Sequence, residues 1–169
     1  PLATEPIPPG GRVNARTPIH IVRRVREHVP SGERRKVARL GASYKADVDD
    51  SRESPSEKLV ALFEEYDYET AVFDPMARGF KHGLCPNLEA AVEGADAVVL
   101  VVNHKIFKNI NPAEIGPRMR RSLLFHARKF FDASVWSATV FTVVSHVRGR
   151  SRTKTLPPPR ARQDAILPP

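Results

Sequence analysis

The sequence of 169 residues holds a single cysteine, Cys85, which excludes an intrachain disulfide framework and a zinc site built from cysteine pairs. It has no run of about 18 apolar residues, so no segment reads as a membrane-spanning helix. The opening PLATEPIPPGG lacks the charged-then-apolar order of a signal peptide. We therefore expect a cytoplasmic protein with no membrane partner. No Ser/His/Asp set, HExxH or phosphate-cradling GxxxxGK[ST] is present, which removes the commonest hydrolase and nucleotide-triphosphate chemistries. Aromatic residues make up only 7 % of the chain, yet 41 % is hydrophobic and 27 % charged, which excludes wholesale disorder.

Acid is short relative to base, 19 residues against 27, and the imbalance is local. Residues 148–169 hold Arg148, Arg150, Arg152, Lys154, Arg160 and Arg162 against one acid, Asp164, and five of the 16 prolines. This stretch has no apolar periodicity and is expected to be a disordered basic tail. It is the one place that could serve as a polyanion-binding arm. The other 147 residues carry only +3 of the +8, so no nucleic-acid partner is expected for them.

Residues 1–17 read as a loose segment. Thr17 and Pro18 then look like the cap and first position of a helix to Pro30, with Pro18, Val22, Val25 and Val29 along one face. Residues 34–147 alternate between strand and helix patterns. Lys36–Ala42, Thr70–Phe73, Ala95–Val102 and Ser122–Phe125 read as strands, and Val140–Val147 as a fifth. Between them, Ser54-Pro55-Ser56-Glu57 is a capping-box helix start, and Asn87 caps a short helix stopped by Gly94. Ile106–Ile115 reads as irregular or weakly helical. The alternation implies an α/β, Rossmann-like, doubly wound parallel sheet, with ligand beyond the strand carboxyl ends.

Those ends carry Gly41–Lys45, Asp74-Pro75, Asn103-His104 and His126–Arg128. Leu40–Lys45 has one glycine and no immediate helix, so it is no dinucleotide fingerprint, but Lys45 can meet a phosphate as a point charge. His104 can hold a ligand or a loop, and His126 with Arg128 can form an anion site. Asp47, Asp49 and Asp50 lack the glycine and glutamate of a calcium loop; they are expected to pair with Arg52 and shape the loop, not to bind metal. Cys85 reads as an inert loop thiol.

The run Val37–Pro55, VARLGASYKADVDDSRESP, resembles the first strand and signature loop of the UDP-binding domain of the UDP-glucose/GDP-mannose dehydrogenase family. Ala71–Pro75, Ala95–His104 with Phe107, and Leu123–Asp132 resemble its later motifs in the same order, and Arg12, Asn14 and Pro18 its central helix, of which residues 18–30 would be the end. The resemblance implies that Tyr44, Lys45 and Arg128 contact the UDP of a UDP-sugar, while Asp50, Arg52 and Ser54 shape the loop. It also implies an oxidoreductase that uses NAD to oxidise the sugar at C6, as a homodimer, in polysaccharide precursor synthesis. Some features depart from the pattern. Arg39 occupies a strand position that is usually apolar, His126 stands for an Asp, and no Gly-Gly-x-Cys nucleophile is present. The chain by itself is therefore expected to be catalytically incomplete, with no catalytic residue of its own. The UDP-N-acetylmannosamine branch is favoured by Tyr44–Asp50. A UDP- or phosphate-binding module without redox activity is the alternative.

Overall fold

The computed structural model describes residues 11–30, 35–52, 54–126, 130–147 and 150–154. Six strands form one sheet: β1 (Arg35–Leu40), β2 (Tyr68–Phe73), β3 (Ala97–Leu100), β4 (Leu123–His126), β5 (Thr142–Val147) and β6 (Arg150–Lys154). Their order is β2-β1-β3-β4-β5-β6, with the first five parallel and β6 antiparallel to β5. This is the doubly wound α/β arrangement expected, and its chain reversal falls between β1 and β3.

Helices cover both faces. α1 (Gly11–His28) and α2 (Pro55–Glu65) lie on one. There Val22, Val25, Val29, Leu59 and Phe63 pack with Val37, Val99, Phe125 and Val144 from the sheet. α3 (Leu88–Val92), α4 (Pro112–Ile115), α5 (Ala133–Ser137) and a 3-10 turn (Lys105–Asn109) lie on the other. Val92, Phe107, Ile115 and Trp136 pack there against Ala38, Leu40, Val98, Leu124 and Val143. Strand residues alternate between the two sets, as the period of two requires, and with both faces covered β3 is apolar throughout.

Two readings change, and one helix is new. α1 begins by Gly11, so Pro18 lies inside the helix instead of opening it. The predicted stripe is nevertheless buried, since its spacing does not depend on where the helix starts. Arg150–Lys154, expected to be disordered, pair with Val143–Val147 and close the sheet edge, because backbone pairing needs no apolar side chain. A short helix, α5, follows Asp132, whose carboxylate accepts from Ser134 N at 2.8 Å as its cap.

The amino-terminal edge of the sheet is held by Asp96, fully buried at the entry to β3. It accepts from Lys36 N at 3.1 Å and Arg120 Nη1 at 3.0 Å, and Arg35 and Arg121 complete a cationic ring around it. This brace lies at the opposite end of the strands from the loops that follow their carboxyl ends.

Candidate functional site

At the carboxyl end of β1 the chain must turn sharply beside β3. Gly41 adopts φ +99°, and a Cβ there would sit 2.5 Å from the Val102 Cβ. Only glycine fits this position, both for backbone conformation and for space. Its glycine thus serves strand packing rather than close approach to a pyrophosphate, and the next helix, α2, begins only at Pro55. The β1–α2 connection therefore lacks the glycine turn and immediate helix start of a dinucleotide cradle.

The loop from Gly41 to Ser54 is tied to one buried carboxylate. Asp74 follows β2 directly. Its Oδ2 accepts from Ala42 N (2.7 Å), Ser43 N (2.9 Å), Ser43 Oγ (2.9 Å) and His104 Nε2 (3.0 Å). Its Oδ1 accepts from Met76 N and Ala77 N. Burial pushes this carboxyl up, but the four backbone N–H groups of Ala42, Ser43, Met76 and Ala77 outweigh it and hold the pKa down at about 2. Asp74 is therefore a carboxylate at any ordinary pH.

That charge decides the state of His104, which is itself fully buried. A carboxylate only accepts, so Nε2 donates to Asp74. The other ring nitrogen, Nδ1, lies 2.8 Å from Asp47 N, which only donates, so Nδ1 accepts. The imidazole is neutral and bridges the end of β2 to the far side of the loop. Asp47 holds φ +59°, and its Oδ1 accepts from Lys105 N at 2.9 Å. The Tyr44-Lys45-Ala46 segment thus projects between two fixed points, Ala42-Ser43 and Asp47.

Tyr44 is half exposed, and Lys45 Nζ lies 5.7 Å from its ring centroid. Tyr44 N donates to Asp50 O at 2.8 Å across the loop. Asp50 and Arg52 form a two-pronged ion pair, Nε–Oδ1 3.0 Å and Nη2–Oδ2 3.0 Å, and this hydrogen bonding lowers Asp50 to about 2. Ser54 is buried; its Oγ donates to Ser43 O at 3.2 Å and accepts from Ser56 N at the start of α2. The cap hydroxyl takes Ser56 N where the capping box expected the third helical N–H; that of Glu57 goes to Ser54 O instead. So Tyr44, Lys45, Asp50, Arg52 and Ser54 come together on one loop. Arg128 lies outside the described residues. His126 is buried against Phe131, 6.3 Å between ring centroids, and its ring turns into the core. Cys85 sits half-buried in the β2–α3 connection, its N donating to Val72 O. Among the described residues no cluster of three or more His, Cys, Asp or Glu is placed to hold a metal, and no helix is long and apolar enough to cross a membrane.

Arg39 was noted only as a departure, yet it is wholly buried on the α2 face. Its Nη2 donates to Ser56 O at 2.9 Å and to Ser56 Oγ, which in turn donates to Gly41 O at 2.9 Å. Nε and Nη1 have no hydrogen-bond partner among the described residues. Desolvation pulls the guanidinium down to about 9, opposed by the charge of Glu64. The roles of Asp74 and Arg39 were the two features that sequence reasoning missed. The Asp-Pro dipeptide was visible, but it reads as a strand stop. A basic residue in the middle of an apolar strand was the one available signal for the second.

A doubly wound sheet whose β1/β3 reversal presents a pinned loop with Tyr44 and Lys45 at its exposed turn has the form of a domain that binds a nucleotide or phosphate at its strand carboxyl ends. Over residues 38–133 the chain matches the UDP-glucose/GDP-mannose dehydrogenase family, UDP binding domain, and it belongs to that family. The UDP-N-acetyl-D-mannosamine dehydrogenase of Methanococcus maripaludis is 32 % identical over 114 residues, covering 66 % of this chain and 26 % of the relative. That of Pyrococcus horikoshii is 38 % identical over 92 residues, 54 % of this chain and 21 % of the relative. The solved structure of UDP-D-ManNAc dehydrogenase from Pyrococcus horikoshii superposes with a TM-score of 0.66 at 28 % identity, over 83 % of this chain and 34 % of that one. The chain thus spans about a fifth to a third of the length of these relatives.

Proposed function

We propose that this chain is the UDP-binding portion of an NAD-dependent nucleotide-sugar 6-dehydrogenase, and that it grips the diphosphate of a UDP-sugar with Lys45 and Arg128, with Tyr44 against the ligand. The observation that carries this reading is the Tyr44-Lys45 segment, held out at the β1/β3 reversal by Asp74 and His104. A diphosphate brings two or more negative charges. Lys45 offers a point charge, and an arginine fork a bidentate contact. The Asp50–Arg52 pair and Ser54 keep the loop in shape and do not touch the ligand. The names of the relatives favour UDP-N-acetyl-D-mannosamine as the sugar nucleotide.

The redox half of the reaction is assigned elsewhere. Oxidation at C6 needs a hydride acceptor and, for the step to the acid, a thiol that holds the intermediate. Cys85 lies in the β2–α3 connection, behind Val72, and not on the pinned loop. In this reading it plays no catalytic part.

The test is calorimetric titration of UDP into the chain and into Lys45→Ala and Arg128→Ala, with the exposed helix residue Lys58→Ala as control. Each site substitution should weaken UDP at least tenfold, and the control should not. Wild type that binds no UDP at millimolar concentration would overturn the reading. Two site variants that match the control would relocate the site.

A further inference from the structure

Among the described residues His104 hydrogen-bonds to neither Tyr44 nor Lys45, yet it is the side chain that ties Asp47 to the fixed end of β2. We propose that His104 is a positioning residue for the Tyr44-Lys45 loop, and that a proton on its Nδ1 releases the Asp47 amide and weakens the hold on a diphosphate. The proposal rests on the UDP reading only for its effect on the ligand; the effect on Asp47 stands on geometry alone.

The chemistry follows from the two ring nitrogens. Nε2–H is fixed on the Asp74 carboxylate at 3.0 Å. Among the described residues Nδ1 is the acceptor placed for Asp47 N–H, at 2.8 Å. A proton taken from solvent by Nδ1 turns that acceptor into a donor, and two donors then face each other. The charged ring has one alternative near Asp47, the carboxylate Oδ1 at 3.9 Å. That oxygen already accepts from Lys105 N, and Lys105 Nζ lies 3.6 Å from Oδ2. To reach it the ring must exchange the amide of Asp47 for its side chain, which shifts a residue held at positive φ. The groups facing the ring are therefore Asp74 from the end of β2, Asp47 from the loop with Lys105 on its outer side, and the Phe107 ring, 5.3 Å away edge-on. Asp74 keeps its hold on Ala42 and Ser43 throughout, so the release is one-sided.

The experiment has an arm without ligand and an arm with it. In the full chain, nitrogen-resolved NMR reads the His104 ring, and amide exchange reads Asp47, Ala42 and Ser43, from pH 8 to pH 5. We expect a neutral ring with its proton on Nε2 at pH 8. As the ring titrates, Asp47 amide protection, corrected for the intrinsic rate, should fall at least tenfold, while Ala42 and Ser43 stay protected. His104→Asn, which keeps an acceptor near the Nδ1 position and cannot titrate, should leave Asp47 protected at every pH. His104→Gln, which favours the Nε2 position, should leave it open at every pH. A ring that stays neutral to pH 5, or Asp47 protection that ignores the ring, overturns the switch.

The second arm titrates a UDP-sugar, whose doubly esterified diphosphate takes up no proton in this range, unlike the terminal phosphate of UDP. Affinity should fall about five- to tenfold from pH 8 to pH 5 in wild type and stay level in His104→Asn. Level affinity in wild type while Asp47 opens overturns the link to the ligand. No binding at pH 8 overturns the UDP reading, and the exchange arm still decides the role of His104.

Discussion

Asp74 and His104 form one buried pair, 3.0 Å apart, through which both ends of the Tyr44–Ala46 segment are tied to the end of β2. The carboxylate takes six donors, four of them on a single oxygen. A neutral amide cannot stand in for it, since its nitrogen accepts nothing.

Asp74→Asn should therefore destabilise the fold by about 3 kcal/mol, because buried donors lose an ionised acceptor. Urea denaturation at pH 7 measures this. The same group sets an acid limit. Its folded pKa, about 2, lies below its unfolded value of 3.8, so its contribution is complete above about pH 4. That contribution, about 2 kcal/mol, is lost as pH falls from there through 2. Denaturation midpoints should show this slope in wild type, and the slope should be reduced in Asp74→Asn.

Gly41→Ala is expected to cost about 2–4 kcal/mol. It combines a positive φ with a Cβ that lands on Val102, whose own backbone is fixed in the sheet connection. Gly79→Ala, where nothing among the described residues lies within 4 Å of the added carbon, meets only the backbone penalty and should cost about 1 kcal/mol. Thermal denaturation of the two variants separates the steric part from the conformational one.

Arg39→Met should stabilise the chain by about 1–3 kcal/mol. The guanidinium is fully buried with Nε and Nη1 unpartnered among the described residues, and an unbranched thioether takes up similar length without a charge. Its folded pKa of about 9 lies well below the ordinary guanidinium value. The unfolded chain therefore binds more protons between those values, and wild type should gain stability as pH rises above 9. Arg39→Met should lack that gain. A lower Tm for Arg39→Met at pH 7 would show that the bonds to Ser56 outweigh the cost of burial.

Removing residues 148–169 deletes β6 and bares the edge of β5. We expect a loss of about 1 kcal/mol and concentration-dependent self-association, read by thermal melts and light scattering at two protein concentrations.

The chain alone should form no NADH from NAD and any UDP-sugar, with or without Cys85→Ser. An absorbance rise at 340 nm that Cys85→Ser abolishes would place chemistry on this thiol.

Much of this was legible in the sequence, because the signals involved are local. The Ser54-Pro55 cap, the Asn87 cap and the apolar run of β3 each declare their element within a few residues, and the alternation gives the parallel sheet. The α1 stripe was legible even though the helix start was not, because Thr17-Pro18 imitates a cap while Pro18 fits within the helix. What stayed hidden depends on distance in sequence. Asp74 and His104 are 30 residues apart, and nothing in either motif says that they share a proton. β6 is charged and lacks a strand pattern, since an edge strand is held by its neighbour's backbone. For Arg39 the sequence shows the oddity but not its cost, which depends on which groups α2 brings over it.

The two anchors of the 44–46 segment have a consequence for recognition. Ala42, Ser43 and Asp47 are fixed by the protein's own groups before any ligand arrives, so the ordering of this backbone is met during folding and is not charged against binding. A ligand that meets Tyr44 and Lys45 has only two side chains to settle on this loop, and the heat capacity change of association should be that of a small buried surface, without the larger signature of a loop that folds on contact.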